Sequence, residues 1–466
     1  NSIIYFIKII FFLIFINIKT VGAAEIINQK IVIDSALKHY PKILSYYEKI
    51  GVSEGGVLEN EGFFDIKLKQ NYSDRTRGFY DGKIIDSFFE KQNAFLGSKI
   101  YGGYRKSYGD FPDYNGNLNT NSGGEYRAGV KFSLLQNSMI DQGRLDLITS
   151  KLELKESKVQ LENIKIEIQR DATKAYWHFV SSGQIYKIYQ ELYELAMQRQ
   201  KQLEVRFNKG DLPQIILSEN KRNILNRKNS LLEAKRELEN SAIFLSLFFR
   251  DENGEIKKIN IENLPEIDFD FREITENKIN KDIDHALDQR PEIRIIKIKK
   301  ELELNNLKQA ENLLKPKLDV DIGASQDAGN GPKTRSESEN YAKLEIEMPL
   351  QRRQAKGKAA ATRSKINFIE YEEKLLFDKI RTEINQIRNS LNYSIEVSKN
   401  IKEEVELSKK LENAEKERFK QGGSDFFLIN IREQETARAR INQITIFEKY
   451  QDFNADYKAA AFLWEL

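Results

Sequence analysis

The chain has 466 residues, of which 31% are charged, and its formal net charge is only +3. A charge so close to balance gives no electrostatic reason to expect nucleic acid as a partner. Cysteine is absent, which excludes disulfide bonds, thiolate metal ligands, a cysteine nucleophile and a lipid attached through cysteine within this sequence.

The first 24 residues have the order of features found in a secretory signal peptide. Lys8 precedes the apolar run Ile9–Ile16, and the small residues Gly-Ala-Ala follow at 22–24. This order predicts a signal peptide that is cleaved after Ala24. The alternative is a membrane anchor, but the run is shorter than the roughly 20 apolar residues that a spanning helix needs. No later stretch approaches that length, so entry into a membrane would have to use strands.

The rest of the chain consists of two similar halves. An Ala-Leu-x-x-x-Pro pattern at 36–41 returns at 286–291, and RFNKG at 206–210 returns as RFKQG at 418–422. The repeated unit is far longer than the roughly 20 to 50 residues of a solenoid repeat. Each half is predicted to run helix, strand, strand, very long helix, tight turn, long helix. The predicted fold class is therefore mainly α with β, in a duplicated protomer that contributes four strands.

The first helix is predicted from Asp34, as its N-cap, to about Ile50, and its counterpart runs from Asp284 to Leu314. Four segments then alternate between apolar and polar residues, which is the period of a strand. They are FDIKLK at 64–69 and VKFSL at 130–134 in the first half, and LDVDI at 318–322 and LEIEM at 344–348 in the second.

The connection between the first two strands spans roughly 71–125 and is rich in aromatic residues and glycine. Its counterpart in the second half is a short polar run with turn residues Gly-Asn-Gly-Pro at 329–332. A loop with so many aromatic residues is expected to be ordered. One further strand is predicted in it, at Lys99–Ser107.

The charged residues of the four predicted strands alternate with apolar ones and should share one face. They are Lys67, Lys69, Lys131, Asp319, Asp321, Glu345 and Glu347. In a barrel whose apolar face meets lipid, these side chains have to point into the lumen, because a charge against hydrocarbon costs several kcal/mol, roughly 2 to 4 for lysine or arginine at the bilayer midplane. The alternative is that they form the solvated face of an ordinary half-buried sheet.

Two proline-free stretches predict very long helices, between Gly143 and Gly210 and between Gly357 and Gly422. At about 1.5 Å per residue each would be close to 100 Å long. Apolar residues recur at alternating spacings of three and four, which indicates coiled-coil packing of neighbouring helices. These stripes are Leu145, Leu152, Val159 and Ile166 and, in parallel, Leu154, Leu161, Ile168 and Ala175 in the first copy, and Phe377, Ile380, Ile384, Ile387, Leu391, Ile401 and Val405 in the second.

Each long helix is predicted to end at a glycine turn, where glycine can adopt the left-handed C-cap conformation. The turn residues that could form a periplasmic tip, an adaptor contact or a constriction are Gly210, Asp211, Leu212, Gly422, Gly423, Ser424 and Asp425. Several copies of Asp211 and Asp425 could form acidic rings that attract cations. Helix N-capping by the same aspartates is an equally good interpretation, and the two roles are compatible.

Nothing in the sequence predicts catalysis, a cofactor or a metal site. His39, His178 and His285 lie far apart, and none has a second ligand at metal-binding spacing. His178 is expected to be an ordinary packed or surface residue of its helix. Abundant carboxylates on solvated helices are the usual expectation and carry no functional signal.

Three segments together resemble the TolC family of outer-membrane efflux proteins. They are ALDQRPEIR at 286–294, LEIEMPLQ at 344–351 and RFKQGGSDFF at 418–427. The resemblance extends over both halves. It departs from the family pattern at Leu428, where many members have an aspartate, and at Asp211, where many have an apolar or small residue.

The resemblance implies a homotrimer with a twelve-stranded barrel in the outer membrane of a Gram-negative bacterium, continuous with a helical tunnel across the periplasm. It also implies a periplasmic adaptor protein and an inner-membrane pump as partners, with efflux or type I secretion as the function. The expected segments are a signal peptide at 1–24, an N-terminal helix region at 25–62, a first hairpin at 63–135, a first helical hairpin at 136–249, a linker at 250–283, an opening helix at 284–315, a second hairpin at 316–350 and a second helical hairpin at 351–466.

A second class of function fits the same pattern less well. A structural or adhesive coiled-coil protein of the cell surface could carry its strands in a small head, but a soluble head would need a core on the apolar face of those strands. Drug or metal efflux and export of a protein or peptide both remain open, because a passive conduit takes its cargo from its pump.

Overall fold

The computed structural model describes residues 27–112, 118–259 and 264–464, and the predicted signal peptide lies outside them. Within this part of the chain there are eight α-helices and six strands. The elements of the first half are α1 (Gln29–His39), α2 (Pro41–Glu61), β1 (Ile66–Arg75), β2 (Gly82–Gln92), β3 (Lys99–Gly109), β4 (Gly124–Ser133), α3 (Gln142–Asn208) and α4 (Gln214–Ser246). Those of the second are α5 (Glu276–Gln289), α6 (Pro291–Asn312), β5 (Lys317–Ala328), β6 (Glu339–Glu347), α7 (Arg353–Lys420) and α8 (Phe426–Ala460).

The opening helices differ from the prediction at their ends. The N-cap of α1 is Asn28, whose Oδ1 accepts a hydrogen bond of 2.9 Å from the amide of Ile31, so the predicted cap Asp34 lies inside the helix. Both halves also break where a single helix was predicted, at Pro41 and Pro291. Proline disfavours helical geometry in the residue before it but is well suited to a first turn, so each break starts a new helix.

The six strands form one antiparallel sheet in the order β1-β2-β3-β4-β5-β6. The predicted count of four strands is wrong, because the long connection of the first half folds into both β2 and β3. The predicted strand at Lys99–Ser107 is confirmed as β3. A second added strand, β2, is needed to keep β4 antiparallel to β1. With only one added strand between them, β1 and β4 would run in the same direction.

The described chain divides into two compact units. One consists of Ser45–Asn163 and Asp288–Lys379 and contains the whole sheet. In it α6 packs on the start of α3, where Ile298 meets Leu152 and Val159. The other consists of the described residues within 27–44, 164–287 and 380–464, and in it a core cluster joins α3 and α8.

The long helices follow the predicted apolar stripes. α3 has 67 residues and α7 has 68, and neither contains proline. The stripe residues Val159, Ile380 and Ile384 are almost completely buried. None of the helices among the described residues combines the length and the apolar composition that crossing a membrane requires.

Candidate functional site

The strand register sorts the sheet into two chemically different faces, because paired residues of neighbouring strands point to the same side. One row joins Leu68 of β1 to Phe89, Gly102, Ala128, Ala324 and Asn340 on the following strands. We call this side the apolar face. Its other side chains include Ile66, Ile85, Ile100, Val130, Phe132, Val320, Ile322, Leu344 and Ile346.

The apolar face has no covering layer in the described chain. Leu68 is 64% exposed, Ile322 47% and Ile346 68%. Isolated exposed apolar residues are common on proteins, but a contiguous apolar surface spanning six strands marks a place where another molecule or a membrane is met.

The opposite side, which we call the charged face, carries cross-strand ion pairs. Between β4 and β6, Lys131 Nζ lies 3.4 Å from a carboxylate oxygen of Asp319 and 3.5 Å from one of Glu345. Lys317 Nζ lies 3.7 Å from carboxylate oxygens of both Asp319 and Glu347. Each of these two lysines lies between two carboxylates, so the opposite charges offset the repulsion between ionised groups of the same sign.

All seven strand charges singled out in the sequence lie on this charged face. Sequence reasoning missed a second set of pairs that involves β2 and β3. Lys69 and Lys99 both bind Glu90, at 3.2 and 3.1 Å. Arg105 binds Glu125 at 2.6 Å, and Arg127 reaches across β3 to Asp86 on β2. These pairs depend on β2 and β3 lying between β1 and β4, which no local pattern indicates.

Glycines on the charged face leave room for tyrosines that cross a strand. Tyr101 of β3 passes over Gly129 of β4, and its hydroxyl donates to Asp321 of β5 at 2.8 Å. Tyr341 of β6 lies over Gly323 of β5 and meets Tyr101 through the two hydroxyls. A Cβ at Gly129 would lie 2.4 Å from the Tyr101 oxygen, and a Cβ at Gly323 would lie 2.6 Å from the Tyr341 ring. Aromatic side chains that cover glycines in this way fix strand register.

The two helical turns have the same backbone geometry. Gly210 and Gly422 take φ values of +85° and +75°. The amide of Asp211 donates to the carbonyl of Arg206 at 3.0 Å, and the amide of Gly423 donates to that of Arg418 at 2.9 Å. Together with the Gly210–Phe207 and Gly422–Phe419 hydrogen bonds, this is a Schellman C-cap in each copy.

The two aspartates of the turns have different roles in the backbone. Asp425 is the N-cap of α8, and its Oδ1 accepts from the amide of Leu428 at 2.9 Å. The N-cap position of α4 is Pro213, which has no side-chain cap. The N-capping interpretation therefore holds for Asp425, while the exposed Asp211 caps no helix in this way.

We expect Gly422→Ala to lower the free energy of unfolding by about 1 kcal/mol, because a left-handed φ is strained for any residue with a Cβ. No atom lies within 4 Å of the added Cβ, so strain alone should decide the result. Gly357→Ala is the control, since it is also uncrowded but lies within α7. There alanine should stabilise by roughly 0.5–1 kcal/mol in urea unfolding. Equal effects of the same sign would contradict the assignment of the turn.

Solved structures resemble the whole chain. The outer-membrane channel OprN is 10% identical with a TM-score of 0.64, and the match covers 93% of this chain and 89% of that one. The Campylobacter jejuni CmeC outer membrane channel is 15% identical with a TM-score of 0.62, covering 93% and 85%. The Neisseria gonorrhoeae MtrE outer membrane channel in its open state is 12% identical with a TM-score of 0.64, covering 93% and 88%. The chain has the TolC-like fold.

The resemblance predicted from three short segments is therefore confirmed for the fold. No family model and no curated protein sequence matches the chain. At 10 to 15% identity, the likeness rests on the arrangement of elements, and the side chains of the site have to be read from this chain alone.

In this chain a buried polar core lies close to the two turns, and sequence reasoning missed it. Glu433 of α8 is 1% exposed and binds Arg199 of α3 and Arg227 of α4, the latter at 3.0 Å. Arg227 also donates to the carbonyl of Leu192 at 2.7 Å. Lys416 of α7 lies 4.0 Å from Glu433, so all four long helices meet at this carboxylate.

The charge of Glu433 is maintained by its partners. Burial alone would raise the pKa of this carboxyl, but the hydrogen bonds and positive charges of Arg199 and Arg227 outweigh it, so the pKa lies below its ordinary value. No sequence signal distinguishes Glu433 from the many solvated glutamates of the long helices, because its burial depends on three other helices.

A second group of charges lies where α3, α4 and α8 meet. His178 contacts Glu448 at 2.8 Å and Glu237 at 3.3 Å, and the hydrogen bond to Glu448 raises the pKa of the imidazole. Burial raises the pKa of the neighbouring Asp452 to about 6. Within the described residues, no group of three or more metal-binding side chains is placed to hold a metal ion.

Asp452→Asn is expected to raise the free energy of unfolding by about 1 kcal/mol at pH 8, after allowance for partial solvent screening. The ionised form is disfavoured in the folded state, since the folded pKa of about 6 exceeds the ordinary value of 3.8. The wild type therefore loses stability as the pH rises from about 4 to 6, and the asparagine variant does not. Urea unfolding at pH 4 and pH 8 measures the difference. A gain that is the same at both pH values would contradict it.

Proposed function

We propose that this protein is a passive exit duct in the outer membrane of a Gram-negative bacterium, and that it is not an enzyme. The observation that carries the proposal is the sheet, which has one exposed apolar face and one ion-paired charged face. The resemblance of the whole chain to solved outer-membrane channels supports it.

The physical argument concerns what each face can meet. The exposed apolar side chains are stable against lipid, while the ion pairs of the charged face need water or one another. Putting the charged face toward an aqueous lumen satisfies both conditions. Lys67, Lys69, Lys131, Asp319, Asp321, Glu345 and Glu347 are then lumen residues.

Closure has to come from further copies of the chain. β1 and β6 are the two edges of the sheet, and an open edge in a membrane would leave backbone groups without hydrogen bonds. We propose a homotrimer in which these edges pair between subunits, as the resemblance to the TolC family implies.

The helical part is assigned to the periplasm. A helix of 67 residues is about 100 Å long at 1.5 Å per residue. The two turns, Gly210–Leu212 and Gly422–Asp425, then form the tip that meets a periplasmic adaptor protein and, through it, an inner-membrane pump. The fold favours this duct over a surface adhesin, and the cargo follows from the pump.

At the tip, Asp211 and Asp425 are proposed to contribute to an acidic constriction. Replacing both with alanine should reduce cation preference several-fold in planar-bilayer recordings, because a ring of like charges concentrates counterions. Asp425→Asn alone removes the charge but keeps a side chain that can cap the helix. This variant therefore distinguishes the effect of the charged ring from the effect of helix capping. Unchanged selectivity in the double variant would remove the ring from the proposal.

The central test is cell fractionation followed by native mass determination. The protein should be found in the outer-membrane fraction as a trimer that dissociates on heating, and it should form ion-conducting pores in planar bilayers. A stable monomer that never partitions into detergent or membrane would overturn the proposal and favour the adhesive protein. An adaptor co-purified after chemical cross-linking would identify the pump system.

A further inference from the structure

We propose that the barrel formed by this protein has eighteen strands, six from each of three subunits, and that its lumen is about 1.5 times as wide as that of a twelve-stranded barrel. The inference rests on the proposed trimeric duct and goes beyond it in the number of wall strands. The structural feature that carries it is the inserted pair β2 and β3.

The inserted strands are part of the wall and not an appendage of it. β2 pairs with β1 over ten residues from Ile66↔Lys91 to Arg75↔Gly82 and with β3 over eleven from Gly82↔Gly109 to Gln92↔Lys99. These ladders are as long as the one between β4 and β5. On its other side, β3 pairs with β4 over seven residues from Lys99↔Lys131 to Arg105↔Glu125, so the inserted hairpin is hydrogen-bonded to the other strands along both of its edges.

Side chains on the charged face tie the inserted strands to the others. Arg127 of β4 crosses Gly103 of β3 to bind Asp86 of β2, and a Cβ at Gly103 would lie 2.3 Å from the Cβ of Phe88. Tyr101 of β3 crosses β4 to reach Asp321 of β5. Each contact spans a whole strand, so it requires a continuous sheet with this order.

The apolar face of β2 and β3 has the same boundary as that of β1. Asp74, Lys83 and Tyr108 lie in one hydrogen-bonded row, and Lys83 is 3.4 Å from Asp74. In the next row, Lys106 turns its ammonium to the carbonyl of Ser122 at 2.7 Å. Below these rows, Phe89 stands level with Leu68, and Ile100 stands level with Ile66. A lipid boundary at one depth accounts for all three strands, with the lysines reaching toward water.

A second copy of this chain is the partner that fits the free edges. β1 has ten residues and β6 has nine, and they run in opposite directions, so they can pair as antiparallel strands. On the charged face β1 carries Lys67 and Lys69, whereas β6 carries Glu345 and Glu347. The charges of the two edges are therefore complementary, as a repeated interface between identical subunits requires.

The strand number can be measured as a distance between subunits. With strands about 4.8 Å apart and tilted by about 40°, equivalent wall positions in a trimer lie about 31 Å apart for eighteen strands and about 21 Å apart for twelve. The chain has no cysteine, so a nitroxide on Ala324→Cys labels one exposed wall position in each copy. Double electron–electron resonance should give the longer distance. Removing residues 79–118 joins β1 to β4 and should shorten the distance between the labels by about 10 Å.

A quenching experiment checks the inserted strands even if the deletion variant does not fold. Phe88 and Phe89 are adjacent on β2 and point to opposite faces. A fluorophore on Phe89→Cys should be quenched by brominated lipid chains several-fold more than one on Phe88→Cys. Quenching at neither position would place the hairpin outside the bilayer and overturn the inference.

The two proposals fail in different ways. If the full chain is not a trimer or does not enter membranes, the duct itself is wrong. If it is a membrane-inserted trimer with the shorter distance in the intact chain, the duct stands and the eighteen-stranded wall is refuted.

Discussion

Glu433→Ala is expected to lower the free energy of unfolding by about 3 to 5 kcal/mol, the largest effect of any single substitution proposed for the helical part. The change leaves Arg199 and Arg227 with no counterion, at side-chain exposures of 12% and 8%. The expected loss is the cost of leaving two arginine charges buried without a counterion. It is not the net contribution of the ion pairs to stability, because forming those pairs also carries a large desolvation penalty. Urea unfolding in detergent, followed by far-ultraviolet circular dichroism, gives the magnitude.

Glu435→Ala is the matched control for Glu433→Ala. Glu435 lies two residues further along α8, but it is exposed and pairs with Arg432 at 2.8 Å on the surface. A surface pair of this kind contributes at most about 1 kcal/mol, so the control should be close to wild type. Similar losses in both variants would mean that the polar core is not buried as described.

The same core predicts a dependence on pH. The folded pKa of Glu433 is lowered, so its contribution is fully present above its ordinary pKa of about 4.5 and is lost as the pH falls through the folded value. The wild type should therefore lose more stability than Glu433→Gln between pH 5 and more acidic conditions. Parallel curves for the two proteins would contradict an ionised, paired Glu433.

Ala324→Arg is expected to destabilise the membrane-inserted protein by about 2 to 4 kcal/mol, because it places a charge in the middle row of the apolar face. Ala324 is exposed and stands in the row of Leu68 and Phe89. The cost arises only if this row meets hydrocarbon. Heat dissociation of the oligomer in bilayer vesicles and the yield in the outer membrane both report it.

Ser325→Arg on the adjacent position of β5 is the control for Ala324→Arg. It adds the same charge to a small residue of the same strand, but on the charged face, where Ser325 pairs with Arg127 in register and stands beside Glu339 of β6. A lumen filled with water should tolerate it to within about 1 kcal/mol. A reversed order of the two variants would mean that the charged face meets lipid, which the duct cannot accommodate.

Local regularities were sufficient for much of this fold. The period of two identified four of the strands, and the alternating spacings of three and four identified the long helices, because each pattern records which side of one element is buried. Gly210 and Gly422 marked the two helical turns, since only a residue without Cβ takes a left-handed φ without strain. The duplication then related the two halves without reference to any partner.

Features that depend on residues distant in the sequence could not be predicted from local patterns. β2 and β3 were read as one strand in a loop because their sequences alternate less strictly than those of β5 and β6. Asn28 replaced Asp34 as the first N-cap, since both residue types cap helices and the choice depends on where the chain packs. Arg127, Asp86 and Tyr101 gave no signal, because their partners lie one or more strands away.

The sequence by itself determined the elements, their order, the duplicated plan and the chemical contrast between alternate residues of the strands. Only the tertiary structure decided that the sheet has six strands, that Arg127 and Tyr101 each reach across a neighbouring strand, and that one glutamate among many is buried between two arginines. The physical reason is the distance along the chain over which each interaction acts. Burial periodicity and capping act within a few residues along the chain, whereas strand pairing and the desolvation of Glu433 depend on segments that meet only when the chain has folded.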